Sequence, residues 1–171
     1  MPEMGLSNGY PMGMNPYLVP ALKMTPMLIA RLFKEFSPGQ FDLRPDPDRF
    51  TVREAIAHLA DWEPILRDRI RLAVESPGAT IVGMDETERA LEQGYASMDP
   101  FTCLDSWTAE RSKTVDYVST LGPEDFSKKA VHSERGELTV ADLANMIPCH
   151  DVYHLDHLVW MLDRSKTIDT W

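Results

Sequence analysis

The chain has 171 residues, a length that suits one domain with a substantial core. Its 27 acidic and 17 basic residues give a formal net charge of −10, which repels phosphate backbones and argues against nucleic-acid binding. The sequence contains no apolar run long enough to span a membrane and shows no signal peptide, so we expect a cytoplasmic protein.

Residues 1–18 are rich in Met, Pro, Gly and Asn and lack a helical period, which predicts a flexible N-terminal tail before one folded domain over 19–171. The first helix is predicted over 22–36, where Ser37-Pro38-Gly39 ends it. Its apolar residues at helical spacing are Met24, Leu28, Leu32 and Phe36.

The second helix is predicted from Thr51 to about residue 74. Thr51 and Glu54 have the spacing of a capping box, in which each side chain bonds the backbone amide of the other residue. Pro64 removes one backbone donor inside this helix and is expected to bend it near His58.

Three further helices are predicted, over 86–95, 101–121 and 139–162. The last begins with a weaker capping box, Thr139 to Asp142, and contains Pro148. No segment reads convincingly as a strand. The four long helices therefore predict an all-α fold, a four-helix bundle.

Three histidines of the last helix, His150, His154 and His157, lie at positions i, i+4 and i+7 and so share one face. Four apolar residues occupy the same sector: Leu143, Ile147, Leu158 and Met161. An imidazole buried there without a partner costs roughly 1–3 kcal/mol for each unsatisfied polar group. A divalent cation removes that cost, because neutral imidazole nitrogens serve as its ligands.

A third ligand is expected from a facing helix, and His58 is the candidate because it aligns with Trp62 and Ile65 on the apolar side of the second helix. The predicted metal site is therefore His58, His150 and His154, with one coordination position left open, as in catalytic sites. The alternative is that each histidine hydrogen-bonds a protein oxygen in a core without metal.

His157 has three interpretations: a fourth ligand, a group that hydrogen-bonds a ligand, or a catalytic proton carrier. We favour the second, because one helix rarely aims three imidazoles at one ion. Asp61, three residues after His58, is a candidate orienting group.

Other polar residues near these positions are interpreted as structural. Glu63, Asp151 and Asp156 are expected mostly to face solvent. His132 lies in a polar stretch and is predicted in a loop. Cys149 is about 100° away from His150 on the helix and is expected to point elsewhere, and two lone cysteines favour free thiols.

Two parts of the chain resemble the DinB-like (YfiT-like) superfamily of metalloenzymes. Its second helix is similar to the segment TVREAIAHLA at 51–60, and its last helix is similar to GELTVADL at 136–143 followed by HDVYHL at 150–155. The resemblance covers about residues 20–163. One departure is His157, which falls where relatives often carry glutamine.

The resemblance implies a four-helix bundle of DinB/YfiT type with helices running up, down, down, up. It also implies zinc, nickel or another divalent ion on His58, His150 and His154, and a homodimer. Characterised relatives include thiol transferases and isomerases that use low-molecular-weight thiols such as bacillithiol or mycothiol.

The leading hypothesis is thus a metal-dependent thiol S-transferase, in which the metal lowers the pKa of a thiol that attacks a small electrophilic substrate. A hydrolase that uses metal-activated water is chemically close. The competing hypothesis is a non-catalytic, metal-stabilised dimeric bundle that binds a ligand or partner.

Overall fold

The computed structural model describes residues 15–162, so most of the predicted tail lies outside the described residues, as do residues 163–171. The elements in chain order are α1 (Leu18–Phe33), α2 (Val52–Glu75), β1 (Thr80–Ile81), α3 (Glu86–Gln93), α4 (Pro100–Ser119), α5 (Pro123–Phe126), β2 (Lys129–His132), β3 (Gly136–Thr139) and α6 (Val140–Leu162). Among these helices, none is both long and apolar enough to cross a membrane.

The four long helices form a bundle in which α1 packs against α4 and α6, and α2 packs against the same two helices. One apolar cluster joins the start of α1, at Leu18, to the end of α2, at Ala73. A second joins the end of α1, at Phe33, to the start of α2, at Val52. The same clusters place α4 parallel to α2 and α6 parallel to α1. The predicted bundle and its up, down, down, up order are confirmed.

The start of α2 forms as the sequence predicts. The Thr51 hydroxyl accepts a hydrogen bond from the Glu54 amide, and the Glu54 carboxylate accepts one from the Thr51 amide. The helix then continues through Pro64 to Glu75. This cap fixes the first turn of α2, so that His58 lies in the second turn on the buried side.

The first helix begins and ends earlier than predicted, and it buries a different stripe. Leu22, Thr25, Ile29 and Phe33 are buried, whereas Met24 is 52% exposed. Apolar spacing alone misplaced the buried face, because Thr25 turns inward to donate a hydrogen bond to a carboxylate on α6.

The prediction of no strands is wrong, since β1, β2 and β3 form a small sheet. β2 and β3 are an antiparallel hairpin, and β1 pairs parallel with β2. Gly136 closes the hairpin with a φ of +75°, which favours glycine. His132, predicted in a loop, is buried in β2. Strands of two to four residues are too short to give a readable alternation.

The sheet leads directly into the helix that carries three of the histidines. Thr139 is the last residue of β3, and it exchanges hydrogen bonds with Asp142 in the predicted capping pattern. α6 then runs through Pro148 to Leu162. The hairpin and the cap together set where α6 begins and thereby how far along the bundle His150 and His154 lie.

Candidate metal centre

The structure brings His58 of α2 together with His150 and His154 of α6 inside the bundle. The Nε2 atoms of His58 and His150 are 2.8 Å apart, and those of His150 and His154 are 3.2 Å apart. One donor atom from each of the three rings lies within 4.8 Å of the others. Two facing helices thus bring three imidazoles together at one point.

These separations fit a shared divalent ion. Two nitrogens at 2.0–2.1 Å from a tetrahedral zinc lie about 3.3 Å apart, close to the two measured separations. Among the described residues, these three rings hydrogen-bond only to one another and to no protein oxygen. The arrangement therefore suits metal ligation better than a core of separately satisfied histidines.

Burial keeps the three rings neutral. It lowers the pKa of His58 and His154 well below the ordinary value, and the neighbouring histidines lower both pKa values further. Burial also lowers the pKa of His150, although the negative charges of Asp151 and Glu63 oppose that shift. Neutral imidazole is the form that binds metal, so the rings are ready for ligation at neutral pH.

Packing rather than hydrogen bonding orients the outer sides of the rings. The His58 ring lies 5.3 Å from the rings of both Phe50 and Trp62. The Nδ1 atoms of His58 and His154 are buried and have no hydrogen-bond partner among the described residues. Aromatic walls therefore hold these imidazoles in place of the carboxylates or carbonyls that usually accept from metal-binding histidines.

A cavity of about 120 Å³ lies against the site, with His154 and His157 in its wall. His157 is buried on the same face of α6 as His154, and their ring centroids are 6.4 Å apart. Its donor atoms are not among those that converge with the other three rings. The structure thus places His157 beside the triad, at the cavity that leads to it.

Asp61, the candidate orienting group, accepts hydrogen bonds from Arg89 and from the Tyr95 hydroxyl. The Tyr95 ring in turn meets the His58 ring edge to face, with centroids 6.2 Å apart. Asp61 therefore reaches the site through Tyr95 rather than by a hydrogen bond to His58.

A buried ionic cluster adjoins the histidines and was not predicted. Arg111 of α4 donates two hydrogen bonds to Glu63 of α2 and two to Asp151 of α6, at 2.6–2.9 Å. Trp107 also donates to Glu63. The formal charges sum to −1, and Asp151 directly follows His150 in the chain, so the cluster favours a cation at the neighbouring site.

The expectation that Glu63 and Asp151 face solvent is wrong, because each is only 1% exposed and is paired with Arg111. A signal was present in the sequence. Arg111 lies on the apolar face of α4, together with Trp107, Val115 and Val118. A cation on a buried face requires a buried partner of opposite charge. Sequence alone does not say which carboxylates meet it.

Both cysteines are free. Cys149 is exposed and lies outside the group of atoms that converge at the triad, in agreement with the expectation that it points elsewhere. Cys103 is buried near the start of α4, where its thiol contacts the Met98 sulfur at 3.9 Å.

A family model for the DinB superfamily matches residues 21–158, so this chain belongs to the DinB superfamily of helical proteins. The predicted family is confirmed. The match includes all the residues of the histidine triad.

Similar proteins carry names that refer to metal. One from Oceanobacillus iheyensis, provisionally named a metal-dependent hydrolase, is 24% identical over 140 residues, which cover 82% of this chain and 81% of that protein. Another with the same provisional name, from Bacillus mycoides, is 24% identical over 139 residues, or 81% of this chain and 80% of that protein.

Two solved structures share the fold. YfiT from Bacillus subtilis, described as a probable metal-dependent hydrolase with an unusual four-helix bundle topology, superposes with a TM-score of 0.80 at 19% identity and covers 86% of this chain and 85% of YfiT. A mycothiol-dependent maleylpyruvate isomerase gives a TM-score of 0.67 at 10% identity and covers 82% of this chain and 59% of that enzyme.

Proposed function

We propose that this protein binds one divalent metal ion through His58, His150 and His154 and uses it to act on small molecules. The observation that carries the proposal is the approach of the three ring nitrogens, 2.8 and 3.2 Å between neighbouring pairs, without a protein oxygen between them. Imidazole ligands suit zinc and nickel, which are the ions we expect.

Three features of the surrounding chain support an enzyme rather than a closed structural site. Three protein ligands leave a coordination position for another molecule. A cavity lies against His154 and supplies room for that molecule. The aromatic rings of Phe50 and Trp62 exclude water from the far side of His58 and keep the ligand geometry fixed.

The leading reaction is transfer of a thiol to an electrophilic small molecule. A divalent ion in this site supplies Lewis acidity, which lowers the pKa of a thiol or of water. The neutral histidines hold the ion, and the buried negative charge of Asp151 and Glu63 offsets part of its positive charge. A low-molecular-weight thiol is the proposed co-substrate, in line with the name of the mycothiol-dependent isomerase that shares the fold.

Hydrolysis is the second candidate, favoured by the names of relatives described as metal-dependent hydrolases. The site provides the same ligands and the same cavity for water in place of a thiol. A non-catalytic, metal-stabilised bundle is the remaining alternative. A homodimer stays a prediction in each of the three cases.

One assay separates these functions. Zinc- or nickel-loaded protein is incubated with a chlorodinitrobenzene electrophile and one of several thiols, and in parallel with an activated ester without thiol. Thiol transfer predicts metal-dependent turnover only in the first reaction, and hydrolysis predicts it in the second. Turnover in neither, together with stoichiometric metal, supports the non-catalytic alternative and contradicts the enzyme proposal.

A further inference from the structure

The segment between α2 and α4 brings a buried tyrosine, Tyr95, against one of the proposed metal ligands. α3 ends at Gly94, whose φ of +70° turns the chain, and a single 3₁₀ turn follows over Tyr95–Ser97. Tyr95 is fully buried. Its ring meets the His58 ring edge to face with centroids 6.2 Å apart, within the range in which aromatic rings attract each other. Tyr95 therefore contacts the ring of a ligand without being a ligand itself.

The hydroxyl group of Tyr95 holds its ring in this position. It donates a hydrogen bond of 2.6 Å to Asp61 of α2. The Asp61 carboxylate also accepts two hydrogen bonds from Arg89 of α3, one of them 2.8 Å long from Nη2. Hydrogen bonds to an ionised carboxylate are roughly twice as strong as those between neutral groups. Because Asp61 follows His58 by less than one helical turn, the anchor of the Tyr95 ring and the metal ligand belong to the same part of α2.

His58 has no hydrogen bond on its second ring nitrogen to orient the imidazole. Its Nδ1 is buried without a hydrogen-bond partner among the described residues. Metal-binding histidines usually donate this second N–H to a carboxylate or carbonyl, which fixes the ring. The last torsion of a histidine side chain is broad, so the neighbouring rings have to fix the plane of this imidazole.

Tyr95 differs from the two other rings that pack on His58. Phe50 has no polar group in its side chain, and the indole Nε1 of Trp62 has no hydrogen-bond partner among the described residues. Neither of these rings is therefore tied by a hydrogen bond. Tyr95 is fixed at both ends, by its backbone in the 3₁₀ turn and by its hydroxyl on Asp61. Of the three rings, it is the one best suited to resist rotation of the His58 imidazole.

We propose that Tyr95 is a positioning residue, which uses its hydrogen bond to Asp61 to hold the His58 imidazole in the plane that directs Nε2 towards the two histidines of α6. This role depends on the proposed metal site, because His58 is one of its three ligands. Arg89 acts one step further out, since it holds Asp61. The segment between α2 and α4 thereby contributes to the metal centre, although none of its residues belongs to the group of converging donors.

Cobalt is the probe for the test, because the visible absorption of Co²⁺ reports both its affinity and the geometry of its ligands. The full chain, freed of metal, is titrated with Co²⁺. We expect Tyr95→Phe, which removes only the hydroxyl, to weaken cobalt binding about tenfold, the lower end for residues that support a ligand. The absorption of the bound cobalt should change as well.

Changes at Asp61 test whether the hydroxyl acts through this carboxylate. Asp61→Ala should weaken cobalt binding as Tyr95→Phe does, and Asp61→Asn, which keeps an acceptor for the hydroxyl, should recover part of the affinity. A protein with both Tyr95→Phe and Asp61→Ala should bind cobalt no more weakly than the weaker single variant, because both changes break the same hydrogen bond. Losses that multiply in the double variant contradict a shared anchor.

Glu110→Ala is the matched control for Asp61→Ala. It breaks the ion pair with Arg67 that joins α4 to α2, and the Glu110 side chain is 22% exposed against 19% for Asp61. The control should lose some thermal stability yet keep the cobalt affinity and absorption of the unmodified protein. A tenfold loss of cobalt affinity in Glu110→Ala overturns the proposed role, because general loosening of the bundle then explains the effect.

Tyr95→Phe with unchanged cobalt affinity and absorption also overturns the role of Tyr95 and leaves the metal site intact, even where its melting temperature falls. Failure of the unmodified protein to bind cobalt contradicts the proposed function itself. A second measurement does not depend on the folding of the Asp61 variants. In zinc-loaded protein, Tyr95→Phe should shift the ring ¹⁵N resonances of His58 more than those of His150, and equal or absent shifts contradict the proposal.

Discussion

His58 and His150 are 92 positions apart in the chain, yet their Nε2 atoms lie 2.8 Å apart. Two imidazole lone pairs at that distance repel each other unless a proton or a cation lies between them. Burial lowers the pKa of both rings and so disfavours a doubly protonated imidazole. The single N–H of a neutral ring does not satisfy the group either, because the Nε2 of His154 lies 3.2 Å from the same His150 nitrogen. A metal ion is the partner that satisfies this pair, and the consequences for variants, chelation and acid follow from it.

His154→Ala should abolish stoichiometric metal binding. The unmodified protein is expected to hold about one ion per chain, as one tetrahedral site requires. Loss of a direct ligand should weaken binding by more than about 100-fold, the upper end for residues that only support ligands. Elemental analysis after dialysis measures this. Cys149→Ser is the control, because Cys149 is exposed beside His150 and should leave the metal content unchanged; normal metal content in His154→Ala contradicts the site.

Removal of the metal should destabilise the fold, because the ion binds the assembled triad and not the unfolded chain. Free metal at 100 times its dissociation constant contributes about 2.7 kcal/mol, which is about 5–10 °C in melting temperature for a chain of this size. Thermal unfolding with and without a chelator measures the shift. An equal shift in His154→Ala would show that the stabilisation comes from elsewhere on the protein.

Acid should destabilise the metal-free protein. The folded-state pKa values of His58 and His154 lie well below the ordinary 6.5, so the unfolded chain binds more protons between those values. Their contribution to stability is complete above pH 6.5 and is lost as the pH falls towards the folded-state pKa. We therefore expect a lower melting temperature at pH 5 than at pH 7.5. His154→Gln should show a shallower dependence, and an unchanged melting temperature in the unmodified protein contradicts the burial argument.

Arg111→Met should be among the most destabilising single changes in the core. It leaves Glu63 and Asp151 buried without their cation, and breaking a buried pair from one side costs about 3–5 kcal/mol. Urea unfolding gives the free energy of unfolding. Arg71→Met is the matched control, because its pair with Asp68 is exposed and should contribute less than about 1 kcal/mol. A similar loss in the free energy of unfolding in the two variants would show that the buried cluster contributes no more to stability than an exposed ion pair.

Much of the site is readable from the sequence because helical periodicity is a local property. The i, i+4 spacing of His150 and His154 on an apolar stripe indicates a shared face, and the capping pair of Thr51 and Glu54 places His58 near the start of its helix. Both signals depend only on residues a few positions apart. They survive into the fold because side chains one turn apart on a helix are neighbours in any tertiary context.

Which helix faces which depends instead on tertiary packing. The sequence does not encode locally that α2 and α6 turn His58 towards His150, or that Arg111 of α4 meets carboxylates from both helices. Tertiary packing also decides that Thr25 turns inward to Asp151 and that His132 is buried in a short strand. Each joins residues distant in the chain, and the free energy that selects it comes from burying several elements together, so only the assembled bundle decides it.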